Sequence, residues 1–285
     1  MKILGISCFF HDSAAVLIDD GITVAASEEE RFTRIKHDSN FPFESIKFCL
    51  EKSGYNSSEL DYVIFYEKPL LKLDRILETI KYDFPKSFEI YQNVMKNWGS
   101  EKLWIKDFIT KVLKIPKKKN LFYEHHFSHA ASAFYCSNFK SSDLLTIDGV
   151  GEWTTTSFGK TINQTLTRDN NVDFPNSIGL LYTAFTEFLG FEVNDGEYKV
   201  MGMAPYGKPI YLDKIEKLFK SIKKFSFELD MSYFNFHKSV NTNLSSKFTN
   251  LFGEKRNKEE PFYIDIHNDD LSDQNFDVSN EIKKN

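Results

Sequence analysis

Three consecutive β-strand patterns at the N-terminus constrain the fold of this chain more than any other feature. The runs KILGISCFF (2–10), SAAVLIDD (13–20) and GITVAASEE (21–29) are rich in apolar and β-branched residues, and His-Asp and Asp-Asp-Gly turns separate them. Short β-rich runs joined by turn residues indicate antiparallel neighbours. We therefore predict that the chain begins with a three-stranded β-meander.

Helix and strand patterns then alternate along the chain. Apolar residues at near-helical spacing with a terminal glycine predict a helix over 41–54, and DYVIFYE (61–67) is typical of a buried strand. Helical patterns predict an insertion of two or three helices at about 70–118. The later patterns predict a strand at 121–124, a helix at 125–137, a strand at 142–149, antiparallel strands at 153–160 and 164–171, a helix at 177–191, a glycine-rich loop at 194–209 and a helix at 211–224.

This order predicts an α/β fold of the actin-like, ribonuclease-H-like (ASKHA) class. A β-meander, then α and β elements, then a second antiparallel set that opens after Asp-Gly is the order expected there. In that class two duplicated sheet domains close on a nucleotide, and tight turns between the first two strands of each half hold its phosphates. The predicted domain covers 1–252, and 253–285 is a polar, acidic tail without a recognisable core segment.

Composition excludes several classes of protein. The net charge is -5 over 285 residues, with lysines and acids interspersed, so no strong field recruits nucleic acid or an anionic membrane. No stretch reaches the roughly 18 consecutive apolar residues of a membrane span. Three cysteines without a CxxC pair indicate reduced thiols in the cytoplasm, and we expect them in the core: Cys8, Cys49 and Cys136.

A histidine-rich segment, EHHFSHAASAF (124–134), suggests a metal site. On a helix, residues four apart lie one turn above each other, so His125 and His129 can converge on one ion, whereas His126 points about 100° away. Asp148 ends an apolar strand and is placed as a ligand from another element would be. Two histidines and a carboxylate leave positions open for substrate or water. From spacing alone, a surface helix with solvated histidines remains the alternative.

Two glycine-containing segments could bind phosphate. DGVGE (148–152) can turn its backbone N–H groups inward, since glycine lets the chain approach an anion closely. NDGEYKVMGMAPYG (194–207) carries Glu197 and Lys199, which suit contacts to a ribose and to a phosphate. An ordinary hairpin turn and an ordinary loop are the alternatives for the two segments.

Two further segments flank the first meander, HDSAA (11–15) and RFTRIKHD (31–38). His11 could shuttle a proton or orient an oxyanion. The basic residues that could bind an anionic group are Arg31, Arg34 and Lys36. Features at opposite ends of one meander can meet at its mouth, which would bring these side chains together. The alternative is a turn histidine beside a solvated basic stretch.

Six motifs in a fixed order carry a resemblance to a known family. The chain contains HDSAAVL, SEEERFTRIKHD, EHHFSHAASAF, LTIDGVGE, NSIGLLYTAFTEFLGF and GEYKVMGMAPYGKP. Together they resemble the N-terminal part of the nodulation protein U and antibiotic O-carbamoyltransferase family. The resemblance covers most of residues 1–265 and is weakest at 70–118. It implies the actin-like fold, with the first half and the start of the second half present in this chain.

The resemblance implies O-carbamoyl transfer. In that family a C-terminal YrdC-like domain combines carbamoyl phosphate and ATP into carbamoyl-adenylate. The actin-like domain then transfers the carbamoyl group to a hydroxyl of a small molecule or glycan, and a divalent metal of the ferrous type (Fe²⁺) holds the adenylate. The carbonyl of this mixed anhydride is already activated, whereas the acceptor hydroxyl needs a base or a metal to help remove its proton.

The resemblance also assigns roles to individual residues. The implied metal ligands are His125, His129 and Asp148, and His126 is only a neighbour of them. His11 and Lys36 match the residues that engage the carbamoyl end and the acceptor, with His11 as candidate base or orienter and Lys36 stabilising developing negative charge. The phosphate turn is matched by Gly149, Val150 and Gly151, and the nucleotide-facing segment by MGMAPYG with Gly202.

Members of the family are about twice as long as this chain, so we expect a truncated or split polypeptide. A fourth metal ligand, a second aspartate, and the YrdC-like domain would lie outside it. We therefore expect a homodimer or a C-terminal half supplied in trans, and incomplete activity of the chain alone. Two other hypotheses stay open: an actin-like, ATP-dependent sugar or acid kinase, which would not need the histidine pair, and a non-catalytic fragment that binds a nucleotide or a partner.

Overall fold

The computed structural model describes residues 1–85, 87–98, 103–239, 241–258 and 260. The strands of its first sheet are β1 (Lys2–Ser7), β2 (Ala14–Asp19), β3 (Ile22–Glu28), β4 (Tyr62–Phe65) and β5 (Asn120–Phe122). Their order across the sheet is β3-β2-β1-β4-β5. Strand β2 is antiparallel to both β1 and β3, whereas β4 is parallel to β1 and β5 is parallel to β4. The predicted meander is therefore confirmed, with β1 in the centre of the sheet.

Helices pack against this sheet and complete its core. The helices of this part of the chain are α1 (Glu30–Thr33), α2 (Phe43–Ser53), α3 (Pro69–Asp83), α4 (Phe88–Trp98) and α5 (Ile105–Leu113). Leu4 of β1 pairs with Leu17 of β2. Directly paired residues of neighbouring strands point to the same face of a sheet, so both side chains lie on one face. Both are fully buried, in one apolar cluster with Cys49 of α2 and Ile109 of α5. The cluster fixes which face of the sheet is covered by helix.

The region predicted to be helical at about 70–118 contains α3, α4 and α5 in its described part. Residues 86 and 99–102 lie outside the described residues. Helix α2 lies between β3 and β4 in the chain, so the predicted β-β-β-α-β order and the mixed α/β class are confirmed. Within the part of the chain that the structure describes, no helix has the length and apolar composition that crossing a membrane requires.

A second, antiparallel sheet follows the histidine-rich helix α6 (His125–Tyr135). Its strands are β6 (Ser142–Ile147), β7 (Thr154–Ile162) and β8 (Thr165–Asp173), in the order β6-β7-β8. Helix α6 contacts all three strands. The helix predicted at 125–137 and the antiparallel strands predicted after Asp-Gly are both confirmed. The turn between β6 and β7 is the DGVGE segment, so the fold brings that turn to the start of α6.

The remaining elements form a second core rich in phenylalanine. They are α7 (Ile178–Phe188), α8 (Glu197–Met203), α9 (Leu212–Glu216), β9 (Phe219–Lys223), β10 (Ser226–Leu229) and α10 (Ser246–Phe252). Phe234 and Phe248 are fully buried there against Leu181 and Ala184 of α7. This cluster holds α7, whose N-terminal end reaches the DGVGE turn.

Two predictions of secondary structure are wrong in detail. The loop predicted at 194–209 contains α8 and a 3₁₀ turn at Ala204–Tyr206, because its glycines do not prevent one short helix. The helix predicted at 211–224 ends at Glu216, and a hairpin begins in which Ile222 pairs with Phe227. A short amphipathic run fits both helical and strand periods, and pairing with β10 decides the outcome.

The cysteine prediction is right at two positions and wrong at one. Cys8 and Cys49 are buried, whereas Cys136 is exposed just after α6. The predicted tail begins directly after α10, and its described residues contact α7: the Arg256 N–H donates to the Phe188 carbonyl at 3.0 Å. The rest of the predicted tail, 259 and 261–285, lies outside the described residues.

Candidate metal centre and its surroundings

A buried carboxylate fixes the start of the histidine helix α6. The backbone N–H of His125 donates to both carboxylate oxygens of Glu152, at 3.1 and 3.2 Å. The Lys68 N–H, at the start of α3, donates to Oε1 of the same side chain at 2.7 Å. Glu152 is only 5% exposed. Because the first N–H groups of a helix have no partner within it, Glu152 stabilises the starts of both helices and determines where α6 begins.

Three ligand-type side chains meet beside this helix start. His125 and His129 lie one turn apart on α6, and their Nε2 atoms are 3.0 Å apart. Asp148, just beyond β6, places Oδ2 at 2.7 Å from His125 Nε2 and at 3.7 Å from His129 Nε2. The three ligand atoms lie within 4.8 Å of one another. The structure therefore brings together all three residues that the resemblance assigns to a metal.

The chemistry of these three atoms fits a divalent metal ion. Two imidazole nitrogens and one carboxylate oxygen are ligands of Zn²⁺ and Fe²⁺ sites, and three protein ligands leave positions open for a substrate. A cation among them would satisfy the lone pairs of both Nε2 atoms at once. The His129 side chain is 49% exposed and the His125 side chain 16%, so the group opens to solvent on the His129 side.

The outer nitrogen of His125 lacks the partner that a ligand histidine usually has. Its Nδ1 is buried without a hydrogen-bond partner among the described residues. Such a nitrogen ordinarily donates to a carboxylate or a carbonyl and thereby orients the ring. Here the ring contacts the edge of Tyr66, with centroids 5.5 Å apart. The orientation of His125 therefore depends on packing and on Glu152, which holds its backbone.

Asp148 is charged and held in place by its neighbours. Burial alone would raise the pKa of Asp148, but hydrogen bonds from His125 and His129, and from the Gly149 N–H, keep this pKa well below its ordinary value. The start of α7 packs against the backbone of Asp148. A side chain on Gly179 would place its Cβ 2.4 Å from the Asp148 carbonyl oxygen, so only glycine fits there.

Two backbone N–H groups of the DGVGE turn donate hydrogen bonds within the turn itself. Gly149 N–H donates to Asp148 Oδ1 at 2.7 Å, and Gly151 N–H donates to the Thr154 carbonyl at 2.9 Å. A phosphate bound here would replace these bonds or use the N–H of Val150. A Cβ on Gly151 would lie 3.1 Å from the Cβ of His125. Gly151 therefore allows the turn to approach α6 closely, and its contact with phosphate stays a prediction.

His126 holds α6 on the second sheet. It is 1% exposed, its Nδ1 lies 2.6 Å from the Thr146 hydroxyl, and its Nε2 donates to the Thr154 carbonyl at 2.8 Å. Burial lowers the pKa of His126 to about 4, which keeps the ring neutral. Both ring nitrogens are used in these bonds, so His126 is a structural neighbour of the metal ligands.

The second candidate nucleotide segment folds as α8. Glu197 begins this helix, and its Oε1 accepts a hydrogen bond from the Asn194 N–H at 3.0 Å. The ammonium of Lys199 lies 5.9 Å from the centre of the Phe191 ring. A Cβ on Gly202 would have no atom within 4 Å. Within the described range, no hydrogen bond joins Glu197 or Lys199 to the DGVGE turn, and their nucleotide contacts stay predictions.

The two segments beside the first meander meet at its mouth, as their positions predicted. His11 Nδ1 lies 2.6 Å from Asp12 Oδ2, and Asp12 Oδ1 lies 2.8 Å from His37 Nδ1. Asp195 Oδ1 accepts from Lys36 Nζ at 2.7 Å and lies 3.1 Å from His37 Nε2. Among the described residues, no hydrogen bond or ion pair joins this network to the three metal-ligand candidates. Of the other basic residues, Arg31 pairs with Glu28 at 3.3 Å.

Sequence reasoning missed several residues of both groups. They are Glu152, Gly179, Asp12, His37 and Asp195. Glu152 closes the DGVGE motif, and Asp12 and His37 adjoin His11 and Lys36, so their positions within the motifs were the available signal. Asp195 is separated from Lys36 by 159 residues, and only the tertiary fold shows their contact.

Comparison with known proteins assigns the family. Residues 2–273 match the family described as Carbamoyltransferase N-terminus. The chain belongs to the carbamoyltransferase N-terminus family. The match includes the histidine helix, the DGVGE turn and the segments at the mouth of the meander. The membership expected from the six sequence motifs is therefore confirmed.

Several curated relatives share this part of the sequence. The protein named Uncharacterized protein sll1178, from Synechocystis sp., is 47% identical over 266 residues, which are 90% of this chain and 43% of that protein. Nodulation protein NolNO of Sinorhizobium fredii is 36% identical over 212 residues, 70% of this chain and 28% of that protein. Nodulation protein NolO of Bradyrhizobium diazoefficiens is 42% identical over 101 residues, 33% of this chain and 17% of that protein. The chain spans less than half the length of these relatives.

Solved structures give weaker likenesses. YeaZ from Pseudomonas aeruginosa is 12% identical with a TM-score of 0.32, over 61% of this chain and 69% of that one. The Ppx/GppA phosphatase of Aquifex aeolicus is 10% identical with a TM-score of 0.32, over 78% of this chain and 65% of that one. At these scores the likeness assigns no fold.

Proposed function

We propose that this protein is the carbamoyl-transfer part of an O-carbamoyltransferase. It would move a carbamoyl group from carbamoyl-adenylate to a hydroxyl of a small molecule or glycan. The observation that carries the proposal is the convergence of His125, His129 and Asp148 within 4.8 Å in a member of the carbamoyltransferase N-terminus family. The sugar or acid kinase hypothesis gives this cluster no role.

We also propose that the fold is of the actin-like class. The strand order β3-β2-β1-β4-β5, with an antiparallel meander followed by two parallel strands, supports this assignment. A second antiparallel sheet begins with β6 and turns at Asp148 into β7, as expected for the start of a second half. In such a fold the turn after β1, with His11, and the turn after β6, with Gly149, would face each other across the adenylate.

The chemistry of the proposed transfer is simple in outline. Carbamoyl-adenylate has an activated carbonyl, so attack by the acceptor hydroxyl breaks the anhydride bond and releases AMP. A divalent metal held by His125, His129 and Asp148, in the proposal Fe²⁺, would supply positive charge to the phosphate and the carbonyl oxygen. His11 would take the proton of the acceptor hydroxyl. Lys36 would stabilise the negative charge that develops on the carbonyl oxygen.

The nucleotide contacts belong to the same proposal. The N–H groups around Gly149, Val150 and Gly151 would face the phosphate, with Lys199 as its counter-charge and Glu197 on the ribose. The open space above Gly202 supports a close approach of the nucleotide to α8. These assignments use residues that are exposed or at turns, where a ligand can reach them.

The formation of the adenylate is proposed to involve a further part. The match covers 43% of the Synechocystis relative and 28% of NolNO, so both relatives contain much additional sequence. We propose that carbamoyl phosphate and ATP react on such a part and that it supplies a fourth metal ligand. Such a part would act together with the segment described here, in the cytoplasm.

Metal binding tests the proposal directly. The chain is titrated anaerobically with Fe²⁺ and Co²⁺, followed by metal analysis and by binding of a stable adenylate analogue. Both His125→Ala and His129→Ala should lower metal affinity at least about 100-fold, because each removes a ligand. The same variants should lose binding of the adenylate analogue.

A substitution of another histidine, His237→Ala, provides the matched control and should leave metal affinity unchanged. Normal metal loading in both ligand variants would contradict the ligand assignment. Acceptor-dependent release of ADP that persists in both variants would favour the kinase hypothesis instead.

A further inference from the structure

Five polar side chains beside the turn between β1 and β2 form one continuous hydrogen-bonded network. In order they are His11, Asp12, His37, Asp195 and Lys36, and the four contacts between neighbours measure 2.6, 2.8, 3.1 and 2.7 Å. This network starts at His11, in the turn between β1 and β2, and ends at Lys36, in the segment that follows α1. Asp195 comes from a distant element, the segment between α7 and α8.

The contact between Asp12 and His11 determines which nitrogen of His11 carries a proton. An ionised carboxylate only accepts hydrogen bonds, so His11 Nδ1 must donate to Asp12 Oδ2. In neutral His11 the other nitrogen, Nε2, is then unprotonated. An unprotonated Nε2 is the form that can accept a proton from an acceptor hydroxyl.

His37 lies between two carboxylates. Its Nδ1 faces Asp12 and its Nε2 faces Asp195, so a ring that carries both protons donates to both carboxylates. Hydrogen bonds from His37 to Asp12 and then to Asp195 raise the pKa of His37 above its ordinary value. With Lys36 also charged, two anions alternate with two cations. The charges of these four groups then balance.

The backbone is shaped to present these side chains. Asp12 and His37 have φ angles of 50° and 55°, in the left-handed region that non-glycine residues rarely adopt. Local bonds hold both segments, since the His37 N–H donates to Glu30 Oε2 at 3.1 Å and the Ser13 N–H to the Asp38 carbonyl at 2.8 Å. Conformations of this kind persist only where surrounding contacts impose them.

We propose that Asp12, His37 and Asp195 are positioning residues for the carbamoyl transfer. Asp12 fixes the tautomer of His11, Asp195 fixes the ammonium of Lys36, and His37 joins the two carboxylates. The inference rests on the proposed function for its purpose, but the hydrogen-bonded chain can be tested without turnover. Asp195 lies two residues before the start of α8, so this hydrogen-bonded network also ties the candidate nucleotide segment to the candidate base.

Bound cation is the competing explanation for part of this group. Ligand atoms of Asp12, Glu30 and His37 also lie within 4.8 Å of one another. A metal ion would need the lone pair of a His37 nitrogen, and both nitrogens face carboxylate oxygens at hydrogen-bond distance. The geometry therefore favours a protonated ring, and metal binding here becomes an outcome of the test.

The protonation of the histidine rings is measured by ¹⁵N-edited NMR of the intact chain. The chain contains seven histidines, so His11→Gln and His37→Gln variants assign the two sets of signals. Spectra between about pH 6 and pH 9 span the ordinary histidine pKa of about 6.5. We expect neutral His11 as the Nδ1–H tautomer, and His37 with both protons to a higher pH than an ordinary histidine.

Two substitutions test the contacts of Asp195 and of Asp12 separately. Asp195→Asn should shift the titration of His37 to lower pH and leave the tautomer of His11 unchanged. Asp12→Asn should lower the titration of His37 and also remove the preference for the Nδ1–H tautomer of His11. The exposed Asp143→Asn in β6 removes one carboxylate elsewhere and should change neither signal.

Three results would overturn the inference. They are a neutral His11 protonated at Nε2 in the wild-type chain, a His37 titration that is unaffected by Asp195→Asn, and loss of the His37 proton on addition of Co²⁺ in a chain that carries His125→Ala. The measurement requires no nucleotide and no transfer. Failure of metal binding at His125 and His129 would therefore refute the proposed function alone. The three NMR results would refute only the proposed roles of Asp12, His37 and Asp195.

Discussion

Replacing Glu152 by alanine should destabilise the protein and weaken metal binding together. The Glu152 carboxylate is 5% exposed and accepts the N–H groups of Lys68 and His125. Hydrogen bonds to a buried charged group contribute roughly 1.5–3 kcal/mol each, and the two N–H groups would lose their partner. We therefore expect a loss of about 3–5 kcal/mol in the free energy of unfolding. Glu152→Gln keeps one accepting oxygen and should lose about 1–2 kcal/mol.

The effect on the metal follows from the position of His125. His125 is the first residue of α6. Its Nδ1 has no hydrogen-bond partner among the described residues that could orient the ring independently. Loosening the helix start should move the Nε2 atom away from Asp148. Outer contacts that orient a ligand are typically worth 10- to 100-fold in metal affinity, and we expect a loss of about that size.

Urea denaturation and Co²⁺ titration measure the two quantities on the same variants. Glu187→Ala is the matched control, because Glu187 is also buried, at 7% exposure, and accepts from the Asn243 N–H at 2.8 Å in the second core. It should lower stability without a specific loss of metal affinity. Equal metal loss in both variants, or stability of Glu152→Ala within about 0.5 kcal/mol of wild type, would refute the reasoning.

Three further predictions follow from single positions. Gly151→Ala should lower stability by about 1–3 kcal/mol and weaken Co²⁺ binding, because its Cβ would press on the Cβ of His125 at 3.1 Å. Gly202→Ala has open space and a helical position, so stability should rise by up to about 1 kcal/mol, while binding of an adenylate analogue falls if the nucleotide approaches there. The Ser232 hydroxyl, and then Lys247, lower the pKa of Asp230 to about 2 from 3.8. The stability this contributes is complete above pH 3.8 and is lost as the pH falls toward about 2, and Asp230→Asn should remove this pH dependence in acid denaturation.

Each of these outcomes can fail. Unchanged stability of Gly151→Ala would show that the turn can move away from α6 at no cost. Unchanged analogue binding by Gly202→Ala would remove the reason to place the nucleotide against α8. An acid transition of Asp230→Asn identical to that of wild type would show that its bonds to Ser232 and Lys247 do not contribute in solution.

The local parts of the site could be predicted from sequence. His125 and His129 converge because a helix repeats every 3.6 residues, and that period is visible in the sequence. Asp148 was predicted because an apolar strand ends there. The first meander was predicted because two short turns leave little choice of pairing for its three strands.

The parts that sequence did not predict depend on contacts between distant segments. Lys36 and Asp195 are 159 residues apart, and nothing in either segment indicates the other. Gly196 suggested a loop, but a Cβ there would lie 2.7 Å from the Glu192 carbonyl oxygen, so this glycine serves close packing just before α8. The strand β9 forms because β10 pairs with it, and the period of an isolated run of residues cannot show that.

The Glu152 contact has a consequence for engineering. Asp148 and Glu152 lie in one turn of fixed length, and one side chain faces the metal ligands of α6 while the other holds the first residue of that helix. The spacing of the two carboxylates therefore fixes the position of α6 relative to the second sheet. An insertion in this turn would move both anchors at once, whereas among the described residues no hydrogen bond or ion pair joins the hairpin between β9 and β10 to the ligands. A fusion tag or a fluorescent label inserted within the chain belongs in that hairpin, and a transplanted version of the metal centre must carry the whole turn with its helix.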